Sequence, residues 1–241
     1  MLILNFLNKF LTFCLGILFP VLCVACGKEG GYLCKNCLPK IWNKRCKYRI
    51  STNGGIHIDG SFFVFEYEKN SAVLKLIQKL KYTFSEEIAE ILSEFLYAHF
   101  EDILIEIQKS QNWAITFVPI YKKRFLWRGF NQAELIARII TYKSRIPMYR
   151  YLIKTKNTAT QVGLDSIGRI INLRGAFCVA NEFRSIRNVE SASDGRKKSI
   201  SKNVILIDDV LTTGATLNEC AKALKRAGAE KVYGMVLSKR V

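Results

Sequence analysis

Negative charge is what this chain is short of. Over 241 residues it has 20 Asp and Glu against 37 Lys and Arg, a formal net charge of +17. Such an excess points to a polyanionic partner: nucleic acid, an anionic membrane face or a heavily phosphorylated small molecule. Spare lysines kept for solubility are the plain alternative, and charge alone does not separate the two. Proline is scarce too, at 4, while 49% of residues are hydrophobic and 12% aromatic. A chain of that composition can bury a real core, which excludes wholesale disorder. The 15 glycines follow no triplet period, which excludes collagen. No Gly-rich string ending in Gly-Lys-Ser/Thr is present, which excludes a P-loop, and no internal repeat is evident. The two histidines, His57 and His99, fall outside any ligand spacing and read as ordinary surface or core residues. At roughly 150 residues per domain, the length fits one ordinary domain plus an appendage.

The most apolar stretch is residues 1–22, MLILNFLNKFLTFCLGILFPVL. It lacks the basic start and small-residue cleavage site of a signal peptide, and Asn5, Asn8 and Lys9 interrupt it, so neither a leader nor a membrane span is expected. Ile3, Leu4, Leu7, Phe10, Leu11, Leu15 and Leu18 recur at helical spacing, which predicts an amphipathic helix ending near Gly16 or before Pro20. Packing on the main domain is favoured over lying on the inner membrane face.

Eight cysteines are unevenly placed. Cys14, Cys178 and Cys220 stand alone in apolar surroundings, whereas five fall between Cys23 and Cys46. Cys23-Val24-Ala25-Cys26 and Cys34-Lys35-Asn36-Cys37 are two C-x2-C knuckles. Such a pair can wrap four thiolates tetrahedrally around one Zn2+, and Gly27, Gly30 and Gly31 permit the tight turns required. Two disulfides are the competing reading, but they need an oxidising compartment and nothing else in the sequence looks secreted, so zinc is preferred. Cys46 has no cysteine three residues on and reads as a spare or a degenerate third knuckle.

Downstream, Ser51–Gly55 is a polar turn and 60–67 a strand. Residues 71–82 and 85–100 are expected helices, and 113–120 (WAITFVPI) a strand buried on both faces. The basic segment YKKRFLWRGFN reads as a loop leading into a helix from Gln132 to Tyr142. Ser185–Asn203 has no core-forming period and reads as a polar insertion. A strand over 203–208, a helix over 215–227 closed by Gly228, and a strand over 231–237 complete the chain. Alternating strands and helices imply an α/β fold with a mostly parallel, doubly wound sheet. The expected divisions are an apolar helix at 1–22, a zinc-knuckle module at 23–55 and an α/β domain at 56–241.

The chemistry concentrates in Val204-Ile205-Leu206-Ile207-Asp208-Asp209-Val210-Leu211-Thr212-Thr213-Gly214-Ala215-Thr216. Four aliphatics form a buried strand that delivers two carboxylates to its C-terminal edge, where open α/β sheets bind ligands. The small-residue loop that follows runs into a helix, so hydroxyls, backbone N–H groups and the helix dipole can hold an anion. Two ribose-hydroxyl acceptors beside a phosphate cradle suit a ribose 5-phosphate, although adjacent acids at a strand end also suit magnesium alone. On the preceding basic segment, Arg124, Arg128 and the backbone at Gly129 are placed to neutralise a diphosphate. Lys122 and Lys123 fit that role or a solvated charge run equally. Trp127 and Phe130 read as packing residues before base-stacking ones.

The thirteen-residue string resembles the phosphoribosyl diphosphate signature of type I phosphoribosyltransferases. That resemblance implies that Asp208 and Asp209 contact the ribose hydroxyls and that Thr212, Thr213, Gly214, Ala215 and Thr216 take the 5-phosphate. It also implies that Mg2+ bridges ribose and diphosphate oxygens. Val118-Pro119-Ile120, Arg124, the run Arg128-Gly129-Phe130-Asn131-Gln132-Ala133-Glu134-Leu135, then Thr160-Gln161, Arg169, Asn172-Leu173 and Gly175-Ala176-Phe177 follow in order. With the double knuckle after Phe19-Pro20, this set is similar to the ComF family of competence proteins over nearly the whole chain. The resemblance implies a zinc-knuckle module (metal ligands Cys23, Cys26, Cys34 and Cys37) joined to a phosphoribosyltransferase-like domain in the cytoplasm. It further implies work on incoming single-stranded DNA in natural transformation, beside competence proteins at the inner membrane. The family's third knuckle is reduced here to Cys46, so one zinc is expected, and the 185–203 insertion is longer than the resemblance suggests. An active salvage phosphoribosyltransferase with an unidentified acceptor is the alternative. A zinc-ribbon adaptor with a vestigial transferase is less favoured, because both acids and the threonine loop are intact.

Overall fold

A computed structural model of the chain describes residues 20–45, 56–110, 112–158, 166–183 and 199–240. The apolar helix expected over 1–22 lies outside them except for its last three residues. So do Cys14, Cys46, the 51–55 turn and residues 185–198 of the polar insertion. In chain order the elements are α1 (Leu38–Trp42), β1 (Gly60–Glu66), α2 (Ala72–Tyr82), α3 (Glu86–Lys109), β2 (Trp113–Phe117), α4 (Lys122–Arg128) and α5 (Gln132–Ser144). Then follow β3 (Leu152–Lys154), α6 (Ser166–Leu173), β4 (Phe177–Val179), a 3₁₀ turn at Asn181–Phe183, β5 (Asn203–Leu211), α7 (Ala215–Arg226) and β6 (Lys231–Lys239).

Four strands form a wholly parallel sheet in the order β1-β6-β5-β2. Helices cover both faces, which is why its strands carry unbroken apolar runs. Alternation along β5 divides the core: Ile205 and Ile207 join the layer of α2, α3 and α5, while Val204 and Leu206 join that of α7. Gly234 is the close-approach point of the second layer, because a Cβ there would lie 2.6 Å from Leu217 Cδ1. The expected α/β doubly wound sheet is therefore the fold.

Three features differ from the sequence expectation. α3 continues to Lys109 rather than ending at 100; the backbone breaks at Phe100 (φ −121°, ψ 17°), and a second helical run carries on. Phe100 is buried against Phe62 of β1, with ring centroids 5.5 Å apart, so burial of its side chain holds the kinked chain on the sheet. The basic segment expected as a loop forms the short helix α4, closed by Gly129 at φ 80°, a left-handed C-cap that glycine adopts freely. Last, β3 and β4 pair antiparallel as a separate two-stranded ribbon, each strand three residues long and too short for a period to show.

The knuckle segment is packed rather than tethered. Leu33 and Ile41 are buried in the layer of α2 and α3, and the Trp42 ring lies 5.5 Å from that of Phe95. Tyr32 N–H donates to Glu87 Oε1 at 3.1 Å, and Lys75 Nζ donates to the Val24 carbonyl at 3.4 Å. Among the described residues no helix is long and apolar enough to cross a membrane.

Candidate functional site

The C-terminal ends of β5 and β2 open into a cavity of about 500 Å³. Its floor is the acid pair that the aliphatic strand delivers. Asp208 and Asp209 both line the cavity, and Asp209 N–H donates to Asp208 Oδ1 at 2.9 Å. Thr212, Gly214 and Thr216 line it from the loop that enters α7. Gly214 caps that helix at φ 76°, a conformation glycine makes accessible. Thr213 faces its own helix instead: its Oγ1 accepts from Ala215 N–H at 3.4 Å. Thr213 and Ala215 are not among the lining residues, and neither is Gly129.

Five cationic side chains, those of Lys81, Arg124, Arg128, Lys154 and Arg240, line the same cavity and outnumber its two acids. Lys81 Nζ lies 2.7 Å from Asp209 Oδ2. Burial pulls the Lys81 ammonium down, but Asp209, followed by Asp208, outweighs it and the net shift is upward. Burial pushes the Asp208 carboxyl up to about 7, helped by the charge of Asp209. Burial lowers Arg128 and Lys154, and in both the charge of Arg124 adds to the effect. Among the described residues Arg128 Nε is buried without a hydrogen-bond partner. A cavity with surplus cations and an unsatisfied guanidinium N–H fits an anionic ligand such as a diphosphate.

The Arg-Gly-Phe-Asn-Gln run wires this cavity together. Arg128 Nη1 donates to Gln132 Oε1, and Gln132 Nε2 donates to Asp209 Oδ2 at 3.1 Å. Asn131 caps α5 by accepting from Ala133 N–H and also donates to the Val118 carbonyl at 3.0 Å, joining the helix start to the end of β2. Phe130 is buried edge-on to Phe84, as expected of a packing residue. Trp127 is not: it is 71% exposed, because α4 buries none of its residues. Arg124 and Arg128 thus join Asp208 and Asp209 in one place, while Gly129 closes α4.

Lys81, Lys154 and Gln132 were not singled out by sequence. Lys81 is one of several lysines on an amphipathic helix, and Lys154 sits on a three-residue strand; neither carries a local signature. Gln132 stood in view within the motif, but its bond to Asp209 spans 77 positions and no spacing announces it.

The second site is the cysteine cluster. The Sγ atoms of Cys23, Cys26, Cys34 and Cys37 lie within 4.8 Å of one another. Cys26 and Cys34 are 3.7 Å apart, matching the tetrahedral edge of about 3.8 Å that follows from Zn–S bonds near 2.3 Å. Among the described residues every cysteine is free of disulfides. Gly27, Gly30 and Gly31 turn the chain at φ 74°, 119° and 105°. Four thiol donors in this spacing fit a structural metal such as zinc.

A doubly wound parallel sheet with an acid pair and a threonine loop at its carboxyl edge defines a phosphoribosyltransferase-type protein, and residues 152–240 match the phosphoribosyl transferase domain family. The chain is similar to competence protein F of Haemophilus influenzae, 35% identical over 161 residues, covering 65% of this chain and 63% of that protein. It is similar to DNA utilization protein YhgH of Escherichia coli, 31% identical over 173 residues with the same shares covered. Competence protein ComFC of Bacillus subtilis is 24% identical over 210 residues, 86% of this chain and 72% of that protein. These matches support the likeness to competence proteins of the ComF type. The matches span 63% of the length of the first two relatives.

Proposed function

We propose that this chain is a competence factor that binds phosphoribosyl diphosphate with Mg2+ in the cavity and single-stranded DNA on the basic surface around it, assisting DNA uptake into the cytoplasm. The observation that carries this reading is the meeting, in one cavity, of the acid pair, the threonine loop and five cations. Asp208 and Asp209 take the ribose hydroxyls; Thr212, Gly214 and Thr216, which line the cavity, take the 5-phosphate, with Thr213 and Ala215 shaping that loop; Arg124 and Arg128 take the diphosphate, with Gly129 closing the helix that carries them. Asp208 and Asp209 would hold Mg2+ with the ligand, and the ion would supply neutralisation of the diphosphate charge. The 23–55 module holds one structural Zn2+ on its four cysteines and leans on the 56–241 phosphoribosyltransferase-like domain. DNA as partner is supported by the names of the relatives and by a net charge of +17, far above the need of one small ligand. Competence proteins at the inner face of the membrane are the expected company of the complex.

The test is binding of labelled single-stranded DNA to the full chain, with and without Mg2+ and phosphoribosyl diphosphate. Calorimetry should show phosphoribosyl diphosphate binding that is lost in Asp208→Asn. DNA affinity should fall steeply with salt, with a logarithmic slope of about −0.7 per phosphate neutralised. No oligonucleotide retention at low salt would sink the DNA half of the proposal, and no calorimetric heat would sink the other half. The intact acid pair also favours a second reading, an active salvage phosphoribosyltransferase. Release of diphosphate that depends on one particular base and is lost in Asp208→Asn would establish it.

A further inference from the structure

Helix α4 is unusual in what it leaves uncovered. None of its residues is buried, and Leu126 and Trp127 are each 71% exposed. Tyr82, at the end of α2, is 74% exposed, and its ring stands edge-on to Trp127 with centroids 6.4 Å apart. Among the described residues two large rings therefore meet at the surface without a roof, and Phe84, 57% exposed, extends the patch towards Phe130. Contiguous exposed aromatics mark interaction sites more often than lone ones do.

The charge around the rings says what they meet. α4 carries Lys122, Lys123, Arg124 and Arg128 and no acid. Lys123 precedes Trp127 by four residues, so the two share one helix face. Arg124 and Arg128 of the same helix line the cavity, and Lys81, next to Tyr82 in the chain, pairs with Asp209 inside it. Patch and cavity thus share a rim. Open ring faces beside uncompensated cations match single-stranded nucleic acid, whose bases stack while its phosphates seek positive charge. A duplex hides its base faces, and an acidic peptide would leave the rings unused.

We propose that Tyr82 and Trp127 form a base-stacking platform for an unpaired nucleotide of a single strand, with Lys122 and Lys123 holding the flanking phosphates, at the mouth of the phosphoribosyl diphosphate cavity. The inference rests on the single-strand reading above and locates it on the molecule. Stacking tolerates any base, so the platform reads strandedness rather than sequence.

The test uses the full chain and labelled oligothymidylate. Trp127→Ala and Tyr82→Ala should each weaken binding about fivefold or more, the range for loss of one stacked base, and Trp127→Phe should retain most of the affinity. An abasic strand of equal length should bind the wild type weakly and lose nothing further in Trp127→Ala. Both rings lie outside the cavity lining, so phosphoribosyl diphosphate binding should persist and show that the variants are folded. Wild-type affinity for oligothymidylate in the Tyr82→Ala, Trp127→Ala double variant overturns the platform alone. A free nucleobase that binds more tightly than the strand, and is lost in the same variants, overturns the assignment to a strand. A wild-type chain that retains no oligothymidylate overturns the single-strand reading and the platform with it.

Discussion

Asp208 is held in a state its side chain does not prefer. Removal from water lifts its carboxyl to about 7, against 3.8 for the ordinary group. The folded chain therefore binds this proton more tightly than the unfolded chain does. The contribution of Asp208 to stability is full below about pH 4, declines as pH rises towards 7, and is lost above that. Asp208→Asn removes the cost of ionising the group, so the variant should be more stable than wild type at pH 8, with the gain shrinking towards pH 5. The slope between those limits is at most about 1.4 kcal/mol per pH unit. Thermal unfolding at the two pH values checks this, and an identical shift at both contradicts it. On the reading proposed above, this carboxylate sits beside cations as a binding group. Its place in the strand–acid–threonine string was legible, because strand, acids and loop are contiguous. Its raised pKa was not, since desolvation comes from neighbours that the string does not contain.

Among the elements, the start of α5 does the most positioning. Asn131 satisfies a helix N–H through its oxygen and the Val118 carbonyl through its nitrogen, fixing α5 to the end of β2. Asn131→Ala should cost about 1–2 kcal/mol from the lost cap and the unpaired carbonyl. Asn131→Asp should fall between, because it keeps the cap acceptor and lacks the amide donor. Denaturant unfolding measures both: equal losses in the two variants would show that the cap contributes nothing, and an Asn131→Asp variant as stable as wild type would show that the Val118 bond contributes nothing. The Arg-Gly-Phe-Asn-Gln run was legible as a site element, but the division of labour within it was not. Phe130 packs, Gly129 ends a helix, Asn131 caps the next, and Gln132 links Arg128 to Asp209. Conversely α4 read as loop, since its apolar residues find no core to face and give no period.

Over the whole molecule, the knuckle segment and the sheet domain share a core. Cys23 and Cys37 are buried in the same layer as α2 and α3, and Trp42 lies against Phe95. Metal at the four cysteines should therefore stabilise more than its own turns. The purified chain should carry about one zinc, and chelation should lower the melting temperature and shift tryptophan emission to the red as Trp42 loosens. Cys26→Ser, at an exposed ligand, should reproduce both effects without removing buried volume. Unchanged melting after the metal is gone would refute the structural role. Part of the net charge of +17 is also placed at this scale: five cations converge on one cavity and two more sit on α4 at its rim.

By itself the sequence determined the parallel α/β sheet, the acid pair with its threonine loop, and the four-cysteine knuckle. Each is written in neighbouring residues whose spacing alone sets the local geometry. Only the tertiary structure decided that Lys81, Lys154 and Gln132 complete the cavity and that Tyr82 meets Trp127 at its mouth. Those partners arrive on separate elements, brought together by burial of the apolar faces between them, and burial leaves no mark at the positions it juxtaposes.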